Sequence, residues 1–229
     1  MKTNNLNNDN KIEEMTDFFN LRARSYDDHM KGVIAGDFNN FYKTISFPIP
    51  DTNDIINILD LGCGTGLEIE GIFKKAPNAI LTCVDLSSEM LSELKEKYCS
   101  YDENIITVED SYLEFTYKPD KYNFIVSAMT MHHLEQDDKM KVYSSICNSL
   151  QKGACYIEGD YVVKRKEEKE IFNEYLALKK IHPEIDNGTY HIDIPFSKET
   201  QMKLFQDAGF SRVDIIWEKE SSVIFVAHK

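Results

Sequence analysis

The sequence lacks several features that mark other classes of protein. Its five cysteines form no CxxC pair, so their spacing indicates neither a structural zinc site nor a disulfide framework. The apolar run at residues 55–61 is interrupted by Asn57 and Asp60 and is too short to span a bilayer. No basic segment followed by an apolar stretch opens the chain, which argues against a secretory signal. We therefore expect a cytoplasmic protein with reduced cysteines and no membrane partner.

Positive charge is also scarce. Lys and Arg number 26 against 39 Asp and Glu, which gives a formal net charge of −13. Because nonspecific binding to phosphate backbones needs clustered Lys and Arg, no direct nucleic-acid partner is expected. Hydrophobic residues make up 42% of the 229 residues, which is enough for a substantial core. The composition predicts a globular protein rather than a disordered one.

Apolar periodicity predicts a helical N-terminal segment followed by a regular alternation. Residues 1–11 are interpreted as a disordered tail and residues 12–50 as a helical cap that ends at two prolines. Strands then alternate with helices, which is typical of a parallel sheet covered on both faces. The five strands of this part are predicted at residues 55–61, 80–85, 104–108, 122–128 and 153–160.

The alternation stops after the fifth predicted strand. Residues 162–196 hold a charged helix and an irregular stretch, which we interpret as a helical insertion that forms a lid. Ser197 is expected to cap a further helix that ends at Gly209. Two strands joined by a tight turn follow at residues 211–217 and 221–227, and they should be antiparallel neighbours. No linker composition is found, so residues 1–229 are predicted to form a single domain.

The most informative segment is a glycine-rich turn after the first predicted strand, Asp60-Leu61-Gly62-Cys63-Gly64-Thr65-Gly66. Glycine lets the backbone turn sharply and lets a ligand approach main-chain atoms. The dinucleotide fingerprint G-x-G-x-x-G fails because the third glycine comes one residue early, and no Gly-Lys-Ser/Thr follows to form a phosphate loop. Asp85 ends the next predicted strand about 20 residues later, where an α/β unit places an acid against ribose hydroxyls.

Taken together, the motifs resemble those of the class I S-adenosylmethionine-dependent methyltransferases of small-molecule type. The resemblance extends from about residue 18 to the last residue, and its matching stretches are D-L-G-C-G-T-G (60–66), V-D-L-S-S-E-M-L (84–91), E-D-S (109–111), V-S-A-M-T-M-H-H-L (126–134) and A-G-F (208–210). It implies an α/β fold with a Rossmann-like, seven-stranded, mostly parallel sheet whose last strand is antiparallel. The implied cofactor is S-adenosyl-L-methionine.

The resemblance also implies where this cofactor binds. Asp60 and the glycine turn would lie beside the methionyl end, and Asp85 would accept hydrogen bonds from both ribose hydroxyls. Leu86 or Met90 would pack on the adenine. The complete set implied around the cofactor is Tyr26, Asp60, Gly62, Cys63, Gly64, Gly66, Asp85, Leu86, Met90, Asp110, Ser111, Ser127 and Ala128. A pocket rimmed by acids suits a cationic sulfonium.

The N-terminal cap supplies further candidates. Tyr26 matches the tyrosine that closes over the cofactor in this family, with a core position as the alternative interpretation. Arg22 or Arg24 could pair with the cofactor carboxylate, but a solvated helix face is the favoured interpretation of both.

Methyl transfer from a sulfonium is an in-line displacement whose leaving group needs no protonation, so alignment and exclusion of water can supply most of the catalysis. A general base is needed only if the acceptor must lose a proton. Candidates near the carboxyl ends of the fourth and fifth predicted strands are His132, His133, Glu158 and Asp160. Ordinary packing of the histidines stays the alternative. No ligand spacing indicates a metal site.

The acceptor is predicted to be a small molecule. The Asn/Asp-Pro-Pro-aromatic run of many nucleic-acid methyltransferases is replaced by Ser-Ala-Met-Thr at 127–130, and aromatic residues of the insertion could enclose a small ligand. Two alternatives stay open. The C-terminal residues 208–227 also resemble the enzymes that build carboxy-S-adenosylmethionine for tRNA wobble-uridine modification, and the chain could be a cofactor-binding subunit without turnover. The sequence does not indicate an oligomeric state.

Overall fold

The protein is described by a computed structural model over residues 12–34 and 37–229. The tail predicted at residues 1–11 lies outside the described residues. The helices of the described chain are α1 (Met15–Arg22), α2 (Tyr26–Val33), α3 (Phe38–Ile45), α4 (Ile69–Lys75), α5 (Ser88–Lys97), α6 (Gln136–Ser149), α7 (Arg165–Ile181) and α8 (Lys198–Asp207). The strands are β1 (Asn57–Leu61), β2 (Ile80–Asp85), β3 (Ile105–Glu109), β4 (Tyr122–Ala128), β5 (Leu150–Tyr161), β6 (Arg212–Lys219) and β7 (Ser222–His228).

The seven strands form one sheet in the order β3-β2-β1-β4-β5-β7-β6. Strands β1 to β5 pair in parallel, whereas β7 runs antiparallel to both of its neighbours, β5 and β6. This arrangement confirms the predicted Rossmann-like sheet with an antiparallel last strand. The chain reverses its direction of winding between β1 and β4, and open α/β sheets bind ligands at the carboxyl ends of strands beside such a point.

The strand bounds differ from the predicted ones by a few residues. β1 begins at Asn57 because the side chain of Ile55 is largely exposed and packs against nothing in the core. β5 begins at Leu150 rather than at residue 153, since Leu150 pairs with Tyr122 of β4 across an irregular register. The apolar pattern alone does not fix where β1 or β5 begins, because pairing with the neighbouring strands decides it.

The predicted N-terminal helical cap is present as α1 to α3. α1 and the short 3-10 turn that follows it contact α5, while α3 lies against β5. Gly159 in β5 makes this close approach possible, because a Cβ at that position would lie 2.7 Å from the ring of Phe41. The cap therefore covers the sheet near the carboxyl ends of its strands.

The predicted insertion follows β5 as α7 and a short 3-10 helix over Pro183–Asn187. It builds a small apolar cluster of its own, separate from the two layers that cover the faces of the sheet; its buried members are Tyr175, Ile185, Ile192 and Ile194. The aromatic residues expected to enclose a small ligand are thus used to seat the insertion.

Four of the five cysteines are buried thiols in the core. Among the residues that the structure describes, none of the helices is both long and apolar enough to cross a bilayer.

Candidate functional site

The glycine-rich turn closes tightly over the end of β2. Gly62, Gly64 and Gly66 all have positive φ, at 65°, 49° and 73°. The N–H groups of Gly62 and Cys63 both donate to the carbonyl of Val84, at 2.8 and 3.2 Å. A Cβ at Gly62 would lie 2.8 Å from the Cβ of Thr130, so only glycine fits there. The turn therefore exposes backbone at the point where the strands end.

Asp85 is held rigidly at the end of β2. Its Oδ2 accepts the Gly64 N–H at 2.8 Å and its Oδ1 accepts the Ser87 N–H at 2.9 Å. Burial raises the pKa of this carboxyl, and the backbone hydrogen bonds oppose that rise. Each carboxylate oxygen keeps a further lone pair, so Asp85 can accept two more hydrogen bonds from a ligand.

A cavity opens beside this turn. Its wall is formed by the glycine turn, the end of β2, the start of α5, the loop after β4 and the N-terminal cap; the lining residues are Met15, Phe19, Tyr26, Gly62, Gly64, Asp85, Leu86, Met90, Tyr112, Met129, Thr130 and His133. None of these lining residues is a Lys or an Arg. The cavity is thus apolar with one fixed acid.

Several lining residues were missed by the sequence reasoning. Met15 and Phe19 come from α1, and Tyr112 follows β3. Met129 follows β4 with a positive φ of 56°, which is strained for a residue with a side chain, while its N–H donates to the Gly159 carbonyl. The wide family motif at residues 126–134 pointed to this loop, but no sequence signal singled out Tyr112 or α1.

Two buried acids lie beneath the glycine turn. Both carboxylate oxygens of Asp60, and Oε1 of Glu68, are buried without a hydrogen-bond partner. Burial raises the pKa of both carboxyls, and the neighbouring Glu68 raises that of Asp60 further. Unpartnered buried acceptors favour a bound cation or proton. Neither acid contributes a lining atom to the cavity, so the predicted position of Asp60 beside the methionyl end of the cofactor stays a prediction.

Polar contacts hold the N-terminal cap over the cavity. Asp27 accepts from the Thr65 hydroxyl at 2.5 Å and from the Lys97 ammonium at 2.6 Å. Asn20 accepts from the Ser87 hydroxyl at 2.7 Å. The half-buried Tyr26 ring lies against Gly64 at the cavity wall, and burial raises the pKa of its hydroxyl.

The two candidate arginines do not reach the cavity. Arg22 contacts Glu13 at 3.1 Å and donates to the Phe18 carbonyl at 2.8 Å. The Arg24 side chain is 91% exposed. A pairing of either arginine with a cofactor carboxylate stays a prediction, and the alternative of a solvated helix face fits the exposed Arg24.

The remaining predicted cofactor residues lie around the cavity rather than in its wall. The Asp110 N–H donates to the Asp85 carbonyl at 3.1 Å, and its carboxylate accepts from the Ser111 N–H at 2.8 Å. The Ser127 hydroxyl is buried against the hydroxyl of Tyr156 at 2.6 Å. Cys63, Gly66 and Ala128 likewise contribute no lining atom to the cavity.

A histidine cluster, which we define as His132, His133, His191 and Asp193, borders the cavity through His133. His132 Nδ1 lies 2.6 Å from Asp160 Oδ1, and the His132 N–H donates to Asp160 Oδ2 at 2.9 Å. The insertion contributes Asp193, whose Oδ1 lies 3.2 Å from His133 Nδ1. The structure therefore brings all three predicted catalytic residues, His132, His133 and Asp160, to one place.

Burial and charge act differently on these groups. Burial lowers the pKa of His132, but the charge and hydrogen bond of Asp160 outweigh it and raise the pKa overall. Burial and the neighbouring His132 lower the pKa of His133. Burial opposes ionisation of Asp193, but its histidine neighbours hold its pKa well below the usual value. The cluster thus carries a stable carboxylate beside neutral imidazole.

Glu158 takes no part in this cluster. Its carboxylate accepts from the hydroxyls of Tyr143 and Tyr156 at 2.6 and 2.8 Å, and from the Gln201 amide at 2.9 Å. Burial raises the pKa of Glu158 to about 7, against the opposing charge of Lys139. Glu158 lies two residues before Asp160 on β5, but it belongs to a buried polar network between α6, β5 and α8.

Comparison with known proteins agrees with this geometry. A family described as "Methyltransferase domain" matches residues 58–153. Malonyl-[acyl-carrier protein] O-methyltransferase 2 of Ilyobacter polytropus is 28% identical over 77% of this chain, and the match spans 62% of that enzyme. Carboxy-S-adenosyl-L-methionine synthase of Nautilia profundicola is 21% identical over 95% of this chain and 96% of its own.

The same fold occurs in solved structures. Human N-acetylserotonin methyltransferase in complex with S-adenosylmethionine superposes with a TM-score of 0.64 at 14% identity, over 92% of this chain and 56% of that one. At that identity the likeness concerns the fold alone. The glycine turn, the acid that ends β2 and the antiparallel β7 agree with these matches, which support a class I S-adenosylmethionine-dependent methyltransferase domain.

Proposed function

We propose that this protein transfers a methyl group from S-adenosylmethionine to a small-molecule acceptor. The observation that carries the proposal is the composition of one cavity wall. Asp85 and the glycine turn lie in the same wall as His133, next to the histidine cluster. A donor site and a polar acceptor site can therefore share one enclosed space.

The donor would be held by residues that are already in place. When bound, S-adenosylmethionine supplies an electrophilic methyl group on a sulfonium. Asp85 would accept hydrogen bonds from its ribose hydroxyls, and Leu86 and Met90 offer apolar contact to the adenine. The rim residues Asp110 and Ser111 would lie near the adenine edge. Tyr26 and α1 exclude water from above, which strengthens electrostatic interactions inside.

The acceptor would place its polar group at the histidine cluster. His133 reaches the cavity itself, so we assign it the direct contact with the acceptor. His132 and Asp160 act as positioning residues, because their 2.6 Å contact fixes the ring beside His133. Catalysis would then come mainly from alignment of the acceptor atom with the methyl group.

A carboxylated cofactor is the second candidate, favoured by the nearly complete overlap with carboxy-S-adenosyl-L-methionine synthase. An added carboxylate would call for a cationic partner in the cavity. No lysine or arginine lines it, within the chain that the structure describes. This composition favours the ordinary sulfonium cofactor.

Two measurements test the proposal. Native mass spectrometry of the purified protein should find ordinary S-adenosylmethionine or its demethylated product; a copurified ligand about 44 Da heavier would instead support the carboxylated cofactor. Incubation with labelled donor and a panel of hydroxy acids, phenols and amines should release S-adenosylhomocysteine. An Asp85→Asn variant serves as the matched negative control, because its release should fall with every acceptor.

A further inference from the structure

The histidine cluster has the composition of a metal site. One ligand atom each from His132, His133 and Asp193 can be chosen so that all three lie within 4.8 Å of one another. Two imidazoles and a carboxylate are the ligands of many catalytic zinc and iron sites, which leave a coordination position open. Asp193 comes from the insertion, so chain spacing gives no hint of the arrangement.

One carboxylate oxygen of the cluster makes no hydrogen bond, although ring nitrogens lie close to it. Asp193 Oδ1 is buried and makes no hydrogen bond, although His133 Nδ1 is 3.2 Å away. His133 Nδ1 also lies 3.2 Å from the Ile192 carbonyl. Burying an unpartnered carboxylate oxygen is costly, and a bound cation would remove that cost.

The surroundings of His132 also match those of a metal ligand. Its Nδ1 donates to Asp160, whose Oδ1 also accepts the Tyr161 N–H at 2.8 Å. Because Nδ1 is engaged by Asp160, Nε2 is the ring nitrogen that faces Asp193 Oδ1, at a distance of 3.7 Å. Metal-ligating histidines almost always donate their other ring N–H to a carboxylate or carbonyl in this way.

We propose that His132, His133 and Asp193 bind one divalent cation of the zinc class. Because His133 also lines the cavity, an open coordination position would face the acceptor. This part of the inference rests on the proposed function: the acceptor would carry an oxygen ligand, such as a carboxylate or a phenolate, whose orientation the cation fixes. The metal site itself does not depend on methyl transfer.

Metal binding can be measured without donor or acceptor. The full chain is stripped with a chelator and titrated with Zn²⁺ by calorimetry and with Co²⁺ by visible absorption. We expect one equivalent to bind, with a Co²⁺ spectrum of mixed nitrogen and oxygen ligation. Asp193→Asn should weaken Zn²⁺ binding at least tenfold, and Asp160→Asn should weaken it about 10- to 100-fold by freeing the His132 ring.

The matched control is His182→Gln, because His182 and Glu184 form the exposed pair most able to hold an adventitious ion. That variant should bind Zn²⁺ as the wild type does. The proposal is overturned if the wild type binds no equivalent, or if binding survives Asp193→Asn but is lost in His182→Gln. Circular dichroism confirms that each variant is folded. Affinity for S-adenosylhomocysteine, measured on the stripped protein, tests the donor site separately, so the two proposals can fail independently.

Discussion

Replacing Asp85 with Asn perturbs the proposed donor site with almost no change of shape. In the wild type both carboxylate oxygens accept backbone N–H groups, from Gly64 and Ser87, and the side chain lines the cavity. The amide keeps one acceptor oxygen and turns the other position into a donor. One ribose hydroxyl therefore loses its charged acceptor, and one backbone N–H faces an NH₂ group.

The expected size of the effect follows from the bonds lost. A hydrogen bond to a charged group contributes about 1.5–3 kcal/mol. Loss of one such bond to the ribose should raise the Kd for S-adenosylhomocysteine about 10- to 150-fold. Disturbance of the glycine turn would weaken binding further, so the lower end of this range is the smallest rise in Kd that we expect.

Isothermal titration calorimetry with S-adenosylhomocysteine measures the change. Glu109→Gln is the matched control, since Glu109 pairs with Asp85 in the sheet register, is exposed and loses the same charge. The control should bind as the wild type does. If Asp85→Asn binds as tightly as Glu109→Gln does, the ribose assignment is refuted.

Three further predictions follow from other contacts. Gly62→Ala should weaken cofactor binding and lower the free energy of unfolding by more than about 1–2 kcal/mol. Gly153 has a φ of 79° and no atom within 4 Å of an added Cβ, so Gly153→Ala should show only the cost of the positive φ. Thermal melts with and without S-adenosylhomocysteine compare the two variants. Asp27→Asn weakens the contact between the N-terminal cap and Thr65, so S-adenosylhomocysteine should dissociate faster in stopped-flow measurements. The free energy of unfolding should fall by less than about 1 kcal/mol. An unchanged dissociation rate would contradict the role of this contact in holding the cap over the cavity. The raised pKa of Glu158, about 7, means that the folded state keeps this proton to higher pH than the unfolded chain does. As the pH rises from about 4.5 to about 7, the free energy of unfolding should therefore fall by up to about 3 kcal/mol relative to that of Glu158→Gln. Denaturant unfolding at a series of pH values measures both proteins. If their free energies of unfolding change with pH in the same way, the prediction is refuted.

The fold could be predicted from the sequence because each element carries its own local signal. β2 and β4 have their predicted bounds, since mostly apolar runs end at Asp85 and at Ala128. Ser197 caps α8 through the Thr200 N–H, as its position before an apolar pattern indicates. The bounds of β1 and β5 could not be fixed in this way, because their partners in the sheet decide where pairing begins.

The residues of the candidate site fall into two groups: some are indicated by a local sequence motif, and others depend on how distant segments pack together. The glycine turn and Asp85 lie at strand ends, where the motif alone places them in the wall of the cavity. Asp193 and Tyr112 come from segments whose position depends on how the insertion and the loop after β3 fold back. The contacts of Arg22 were missed for a related reason, because a helical pattern does not reveal that Glu13 and Phe18 engage this side chain.

The central claim is that the donor and the acceptor share the cavity beside the glycine turn. A crystal structure of the full chain with bound S-adenosylhomocysteine tests it most directly. The account predicts both ribose hydroxyls on Asp85, the adenine against Leu86 and Met90, and the sulfur facing the His133 side of the cavity. Electron density for the ligand outside this cavity, or with its sulfur turned away from the histidine cluster, would contradict the account.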